Sequence, residues 1–149
     1  MMMYTYKRIL VAVDGSKEAD LAFKKAVKIC NRNQAELVIA HIVDTRAYAT
    51  MEAYDIRMTE NAEKFATDML ANYKEMANSS NIQTVETVIE YGSPKVRIAK
   101  DVAKEKEIDL IICGATGLNA VERLFIGSVS EHIVRNAKCD VLVVRNEVN

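Results

Sequence analysis

Apolar residues along the chain alternate between short continuous runs and longer stretches in which they recur every three or four residues. The runs are typical of buried strands, and the spaced stretches are typical of amphipathic helices. The runs predict strands at 7–13, 36–43, 84–91, 109–113 and 140–145, and the spaced stretches predict helices at 17–31, 58–76, 94–104 and 128–137. Helix-length connections between successive strands predict right-handed βαβ units and a parallel sheet covered by helices on both faces.

The ends and faces of these elements follow from individual residues. Ser16 is predicted to cap the first helix, and Ser93 with Pro94 is predicted to start the third. The strand at 84–91 alternates in polarity, which places it near a sheet edge. The second helix is expected to bury Met58, Ala62, Phe65, Ala66, Met69, Leu70, Tyr73 and Met76, and the third to bury Val96, Ala99, Val102 and Ala103.

Length and composition fit one ordinary domain over residues 1–149, since 50% of the residues are hydrophobic and 28% are charged. Cys30, Cys113 and Cys139 form no CxxC pair and lie in apolar stretches, so we expect buried thiols and no metal site. The stretch Asp44 to Arg57 lacks clear periodicity. Its Tyr48, Met51 and Tyr54 either cover a ligand or pack on the next helix.

Charge and hydropathy exclude two classes of partner. Twenty Lys and Arg against twenty-one Asp and Glu give a net charge of -1, with the basic residues scattered along the chain, which argues against nucleic acid binding. The first residues lack the apolar region of a signal peptide, and no 18-residue apolar run that could span a membrane is present there. We therefore expect a cytoplasmic protein without a membrane partner.

Three of the five glycines, Gly114, Gly117 and Gly127, lie in the segment GATGLNAVERLFIGSVS after the fourth strand. Ligands of open α/β sheets bind beyond the carboxyl ends of the strands, where a loop can turn backbone N–H groups toward an anion. Gly114 and Gly117 would allow positive φ angles and close backbone approach, and Gly127 with Ser128 would place further donors at a helix start. The glycines could instead only shape a loop, but their spacing favours phosphate binding.

The spacing G-x2-G-x9-G-[ST], at Gly114, Gly117, Gly127 and Ser128, resembles the ATP-binding branch of the universal stress protein family. ILVAVDGS at 9–16, AHIVD at 40–44 and CDVLVVR at 139–145 resemble its first, second and last strands. The resemblance implies a Rossmann-like open five-stranded parallel sheet of order 3-2-1-4-5.

The same resemblance implies the binding residues. The aspartate matching Asp14 lies against the nucleoside, the backbone near Val43 meets the adenine, and the glycine loop with Ser128, Val129 and Ser130 holds the phosphates. From the residues alone, Asp14 fits an Asx turn or a helix cap equally well. Arg123, the cation within the loop, either touches a phosphate or is a solvated surface residue.

Ser128 also opens the sequence Ser128-Val129-Ser130-Glu131, which fits the capping box S-x-x-E. Its hydroxyl is therefore expected to cap the last helix when no nucleotide is bound and to donate to a phosphate when ATP is bound.

No GxxxxGK[ST] segment occurs, and no GxGxxG segment follows the first strand, so a fast phosphoryl-transfer enzyme is disfavoured. Three hypotheses remain: a binding module for ATP, with Mg²⁺ held mainly by the phosphates; a slow ATPase or phosphotransfer protein; or an AMP-bound or nucleotide-free interaction protein. The last strand would lie at an open edge with the apolar run Val141 to Val144, which predicts a homodimer.

Overall fold

Five parallel strands form one sheet in the computed structural model of the chain, which describes residues 5–45, 56–116 and 126–145. The sheet has the order β3-β2-β1-β4-β5, which confirms the predicted order and places β3 and β5 at its edges. The strands are β1 (Arg8–Ala12), β2 (Glu36–Asp44), β3 (Val85–Gly92), β4 (Leu110–Gly114) and β5 (Asp140–Val144).

The helices connect these strands in sequence order. They are α1 (Lys17–Asn33), α2 (Ile56–Ser79), α3 (Pro94–Val96), a π-helical segment (Arg97–Val102), α4 (Ala103–Glu105) and α5 (Ser128–Asn136). Ser16 caps α1 as predicted, because its Oγ accepts a hydrogen bond from the backbone N–H of Ala19 at 3.1 Å. Among the described residues, no helix has the length and apolar character needed to cross a membrane.

Two separate hydrophobic cores lie on opposite faces of the sheet, which confirms the prediction of helices on both faces. One core joins the sheet to α1 and α2, where the rings of Phe23 and Tyr73 pack with centroids 4.7 Å apart. The other joins it to the segment from α3 to α4 and to α5, through residues such as Ile98 and Ile133. Cys30 and Cys113 are buried in these cores, and burial raises the pKa of each thiol to about 12.

The helix faces differ from the predicted ones in two places. In α2, Phe65 is 54% exposed and Met76 is 47% exposed, because the helix buries the narrower stripe of Ala66, Leu70, Tyr73 and Ala77. Between α3 and α4, the π-helical segment changes the number of residues per turn, so that Val96 is exposed and Ile98 is buried.

One further expectation is wrong. Ser93 stands at the N-cap position of α3, but its side chain makes no capping hydrogen bond, and its Oγ is buried without a partner among the described residues.

Gly114, at the end of β4, permits close packing between this strand and the start of α1. A Cβ atom at Gly114 would lie 2.8 Å from the Cβ of Glu18 and 3.0 Å from its backbone. Its φ angle is not positive; the described glycines with positive φ are Gly15 and Gly92. At Gly114 the space of a side chain is therefore taken by α1 and the expected positive φ is absent, while the close approach of a phosphate to its backbone stays a prediction.

The substitution Gly114→Ala should destabilise the protein, since the added methyl group would force β4 and α1 apart. Overpacking of this kind costs about 1–3 kcal/mol of unfolding free energy. Urea unfolding followed by circular dichroism measures the loss. An unfolding midpoint equal to that of the wild-type protein would show that α1 does not press on Gly114.

Candidate functional site

The carboxyl ends of β1 and β4 are neighbours in the sheet, since Val11 of β1 lies beside Ile112 of β4. After β1 the chain continues into α1 on one face, and after β4 it continues toward α5 on the other. The two connections diverge and open a crevice, which is where ligands of open α/β sheets bind. Asp14 and Ala115 follow the two strands and border this crevice.

On the β1 side, a tight turn positions Asp14. Its Oδ1 accepts a hydrogen bond from the backbone N–H of Ser16 at 2.9 Å, which forms an Asx turn, and Gly15 at the centre of the turn has a φ of 86°. Glycine suits this position because other residues rarely adopt such a φ. The Asx turn is thus present, and contact of Asp14 with a nucleotide stays a prediction.

Hydrogen bonds to β2 fix the segment before this turn. The N–H of Val13 donates to the carbonyl of Ala40 at 2.9 Å, and Nδ1 of His41 lies 2.8 Å from the carbonyl of Val13. Because a carbonyl oxygen only accepts, Nδ1 of His41 carries the proton. Val43, near the end of β2, has a buried side chain, so a ligand at this place would meet its backbone.

On the β4 side, the carbonyl oxygen of Ala115 joins the two ends of the glycine-rich segment. It accepts from the N–H of Gly127 at 2.6 Å and from the hydroxyl of Ser130 at 2.8 Å. The N–H of Ala115 donates to the carbonyl of Val144 at 2.9 Å. We call the contacts among Ala115, Gly127 and Ser130 the loop neck; they fix the start of α5 against the end of β4.

Helix α5 begins at the crevice with Gly127 as its N-cap residue, whose carbonyl accepts from the N–H of Glu131 at 3.0 Å. The geometry of a helix leaves the N–H groups of Ser128, Val129 and Ser130 without intrahelical acceptors. These donors lie at the positive end of the helix dipole, which favours an anion. The first turn of α5 can therefore hold a phosphate group through its backbone.

The predicted capping box is wrong, because the helix begins one residue too early for it. Ser128 is the first helical residue and is exposed, and Gly127 occupies the N-cap position without any side-chain cap. Glu131 instead forms an ion pair with Arg135, with a nitrogen–oxygen distance of 3.0 Å. This pairing draws the carboxylate of Glu131 away from the helix start, where it would repel phosphate.

The first three residues of α5 differ in the exposure of their side chains. The side chain of Val129 packs on the second core, and the side chain of Ser130 is buried in the loop neck. For these two residues only the backbone N–H can reach a ligand, whereas the hydroxyl of Ser128 is exposed as well. Sequence reasoning missed the neck itself, since periodicity carries no signal for a hydrogen bond between residues 15 positions apart.

Two of the predicted binding residues cannot be placed. Gly117 and Arg123 lie outside the described residues, as do Tyr48, Met51 and Tyr54 of the connection between β2 and α2. The described parts of the predicted site are thus the turn at Asp14, the end of β2, Gly114 and the first turn of α5, which the loop neck joins to β4. Within the described ranges, no group of three His, Cys, Asp or Glu side chains is arranged to hold a metal ion.

Comparison with known proteins relates both the sequence and the fold of this chain to one protein family. The model of the universal stress protein family matches residues 5–145. A Staphylococcus haemolyticus protein named as a putative universal stress protein is 54% identical over 145 residues, which span 97% of this chain and 88% of that protein.

Solved structures agree. The universal stress protein UspA from Lactobacillus plantarum is 36% identical, with a TM-score of 0.87 over 96% of this chain and 100% of its own. A universal stress protein in complex with cAMP is 25% identical, with a TM-score of 0.72 over 95% of this chain and 98% of its own.

The loop neck predicts different effects for two nearby serines in the nucleotide-free protein. Ser130→Ala should lower the unfolding free energy by about 1–3 kcal/mol, because it removes a buried donor and leaves carbonyl groups with fewer partners. Ser128→Ala should change it by less than about 0.5 kcal/mol, because this hydroxyl is exposed and caps nothing. Urea unfolding of both variants provides the comparison. A larger loss for Ser128→Ala than for Ser130→Ala would contradict the assignment of these hydroxyls.

Proposed function

Because this chain belongs to the universal stress protein family, we propose that it is an ATP-binding regulatory module of the stress response, with the nucleotide in the crevice between β1 and β4. Binding of ATP would stabilise one arrangement of the glycine-rich segment, which a partner then recognises. The observation that carries the proposal is the first turn of α5, whose backbone N–H groups lack intrahelical acceptors and which is hydrogen-bonded to the end of β4, the strand beside β1.

The positive end of the α5 dipole and the carboxylate of Asp14 would orient the nucleotide, with its phosphates toward α5 and its nucleoside toward Asp14. Phosphates would bind at the start of α5, through the N–H groups of Ser128, Val129 and Ser130 and the hydroxyl of Ser128. The carboxylate of Asp14 would repel phosphates, so it would face the nucleoside. The adenine would then lie against the backbone near Val43, at the end of β2.

Glycines would let the phosphates approach the backbone closely. A Cβ at Gly127 would lie 3.3 Å from the carbonyl oxygen of Ala115, so this place has little room for a side chain. Gly114 and Gly117 would complete the cradle, and Arg123 would add a positive charge. Mg²⁺ would be bound mainly by the phosphates of ATP.

The solved relative in complex with cAMP supports an adenine nucleotide as the ligand class. The cAMP in that structure has a single cyclic phosphate group. A helix N-terminus has several N–H groups without intrahelical acceptors, which can bind the more highly charged triphosphate of ATP. We therefore propose ATP as the ligand of this chain.

The substitution Ser128→Ala should raise the dissociation constant of ATP by about ten-fold, because a hydrogen bond to a charged group contributes roughly 1.5–3 kcal/mol. Isothermal titration calorimetry of the wild-type and variant proteins measures the change. Ser79→Ala, which alters an exposed serine at the end of α2, is the matched control and should bind like the wild type. Equal affinity of the Ser128→Ala and Ser79→Ala variants would remove the hydroxyl of Ser128 from the site.

Two alternative functions use the same crevice. In a slow ATPase or phosphotransfer protein, a triphosphate bound near Arg123 and Ser128 would be hydrolysed; in an interaction protein, AMP or nothing would be bound. A fast enzyme needs a clamp of cations with a residue that orients the nucleophile. Steady-state turnover above about one per second would favour catalysis. Identification of the nucleotide in protein purified without added ATP separates ATP from AMP.

We also propose a homodimer formed through β5. This strand lies at the sheet edge, and the apolar side chains of Val141, Leu142 and Val143 are only half-buried. An exposed apolar edge can pair with a second copy of the chain. Cytoplasmic localisation and the absence of a nucleic acid partner stay predictions.

Sedimentation equilibrium at tens of micromolar protein should give the mass of a dimer. Val143→Lys should shift the protein toward monomer or aggregate, because it places a charge in the proposed interface. Circular dichroism of this variant is the control, since Val143 also packs on the second core. A monomeric wild-type protein at this concentration would contradict the proposal.

A further inference from the structure

A groove lies between α1 and α2, on the face of the sheet opposite to α5. Its volume is about 400 Å³, which falls within the range of small-molecule sites. It is lined by residues of the turn after β1, of α1 and of one side of α2: Gly15, Asp20, Phe65, Asp68, Met69, Asn72, Tyr73 and Met76.

The groove is lined by polarizable apolar side chains of α2, of which Phe65 and Met76 are exposed and Met69 is half-buried against the core. Phe65 and Met76 are the two most exposed of these, at 54% and 47%, and the half-buried Met69 lies between them along α2. An aromatic ring and thioether groups adapt well to an aromatic or branched apolar ligand. The ring of Phe65 can also attract a cation over its face.

The polar part of the lining is negative. Asp20 and Asp68 contribute carboxylates, and no lysine, arginine or histidine of the described residues lines the groove. No ion pair is formed by either aspartate within the described part of the chain. This combination repels phosphates and attracts a cation.

Tyr73 fixes one of these carboxylates. Its hydroxyl donates to Oδ1 of Asp20, and its side chain is buried. Burial, followed by the hydrogen bond and the charge of Asp20, raises the pKa of Tyr73, so that the phenol stays a hydrogen-bond donor. Asp20 is therefore held in place before any ligand binds.

We propose that this groove binds a small organic cation, in which an ammonium group is carried on an aromatic or branched apolar body. The ammonium would lie between Asp20 and Asp68, and the apolar body would pack on Phe65, Met69 and Met76. The site is distinct from the nucleotide crevice and does not depend on the proposed ATP binding.

The groove nevertheless borders the crevice through Gly15. A Cβ at Gly15 would lie 3.3 Å from Cζ of Phe65 and 3.5 Å from Sδ of Met69, so the turn that carries Asp14 rests on the lining of the groove. A cation bound there would contact the back of this turn.

Nuclear magnetic resonance of protein with ¹³C-labelled methionine methyl groups tests the proposal without any nucleotide. The chain has seven methionines, and the variants Met69→Leu and Met76→Leu assign the two signals of interest. Tryptamine is the cationic probe, and 3-indolepropionate is its anionic counterpart with the same ring. Tryptamine should shift the signals of Met69 and Met76 in a saturable way, with indolepropionate at least about ten-fold weaker.

Carboxylate variants then locate the ammonium group. Asp68→Asn should weaken tryptamine about three-fold, as expected for an exposed ion pair, and the double variant with Asp20→Asn should weaken it about ten-fold. The amide oxygen introduced by Asp20→Asn would still accept from the hydroxyl of Tyr73, so the fold should persist, which circular dichroism verifies. Glu75→Gln is the matched control, because Glu75 is exposed on α2 outside the lining.

Three results would overturn the proposal. Equal affinity for tryptamine and 3-indolepropionate would show that charge plays no part. Unchanged tryptamine affinity in the folded double variant would remove the two aspartates from the site. Shifts that leave Met69 and Met76 unaffected would place any binding elsewhere.

Discussion

The carbonyl oxygen of Ala115 accepts two hydrogen bonds, one from the backbone N–H of Gly127 and one from the buried hydroxyl of Ser130. The N–H of the same residue donates to Val144, at the end of β5. Through its N–H and carbonyl groups, Ala115 therefore connects the end of β4 to the end of β5 and to the beginning of α5. Together with the packing of Val129 and Ile133 on the second core, these contacts fix the first turn of α5 relative to the end of β4.

This constraint bears on how a chain without a phosphate-binding lysine motif would offer the proposed anion site. The donors are backbone N–H groups, whose direction is set by the helix and whose charge is set by its dipole. Side chains that could interfere are directed elsewhere: Glu131 pairs with Arg135, and the hydroxyl of Ser130 is used in the loop neck. The described part of the proposed site would thus hold a ligand mainly through backbone N–H groups.

The architecture can be predicted from the sequence because it depends on patterns that repeat along the chain. Alternating strand and helix patterns imply a parallel sheet, and the resemblance to the family supplies the strand order. The mixed polarity of 84–91 correctly indicates an edge strand, since β3 is half-buried along most of its length. The capping role of Ser16 is equally predictable, because its position relative to α1 is local in sequence.

The errors arise where a residue's role depends on contacts distant in sequence. The sequence S-x-x-E predicts a capping role for Ser128, but the buried hydroxyl at the helix start is that of Ser130, which donates to the carbonyl of Ala115. Phe65 and Met76 fit the helical spacing of a buried face, yet the packing of α2 on the sheet leaves them on the groove. The π-helical segment between α3 and α4 has no counterpart in the periodicity.

The first turn of α5 is proposed to bind the phosphates of a nucleotide, and its backbone amides report on this directly. Two-dimensional ¹H–¹⁵N spectra recorded during an ATP titration observe each amide separately. Large, saturable shifts are expected for the amides of Ser128, Val129 and Ser130, together with that of Asp14. Amide signals at these positions that stay unchanged while ATP binds elsewhere, or that do not respond at millimolar ATP, would contradict the proposal.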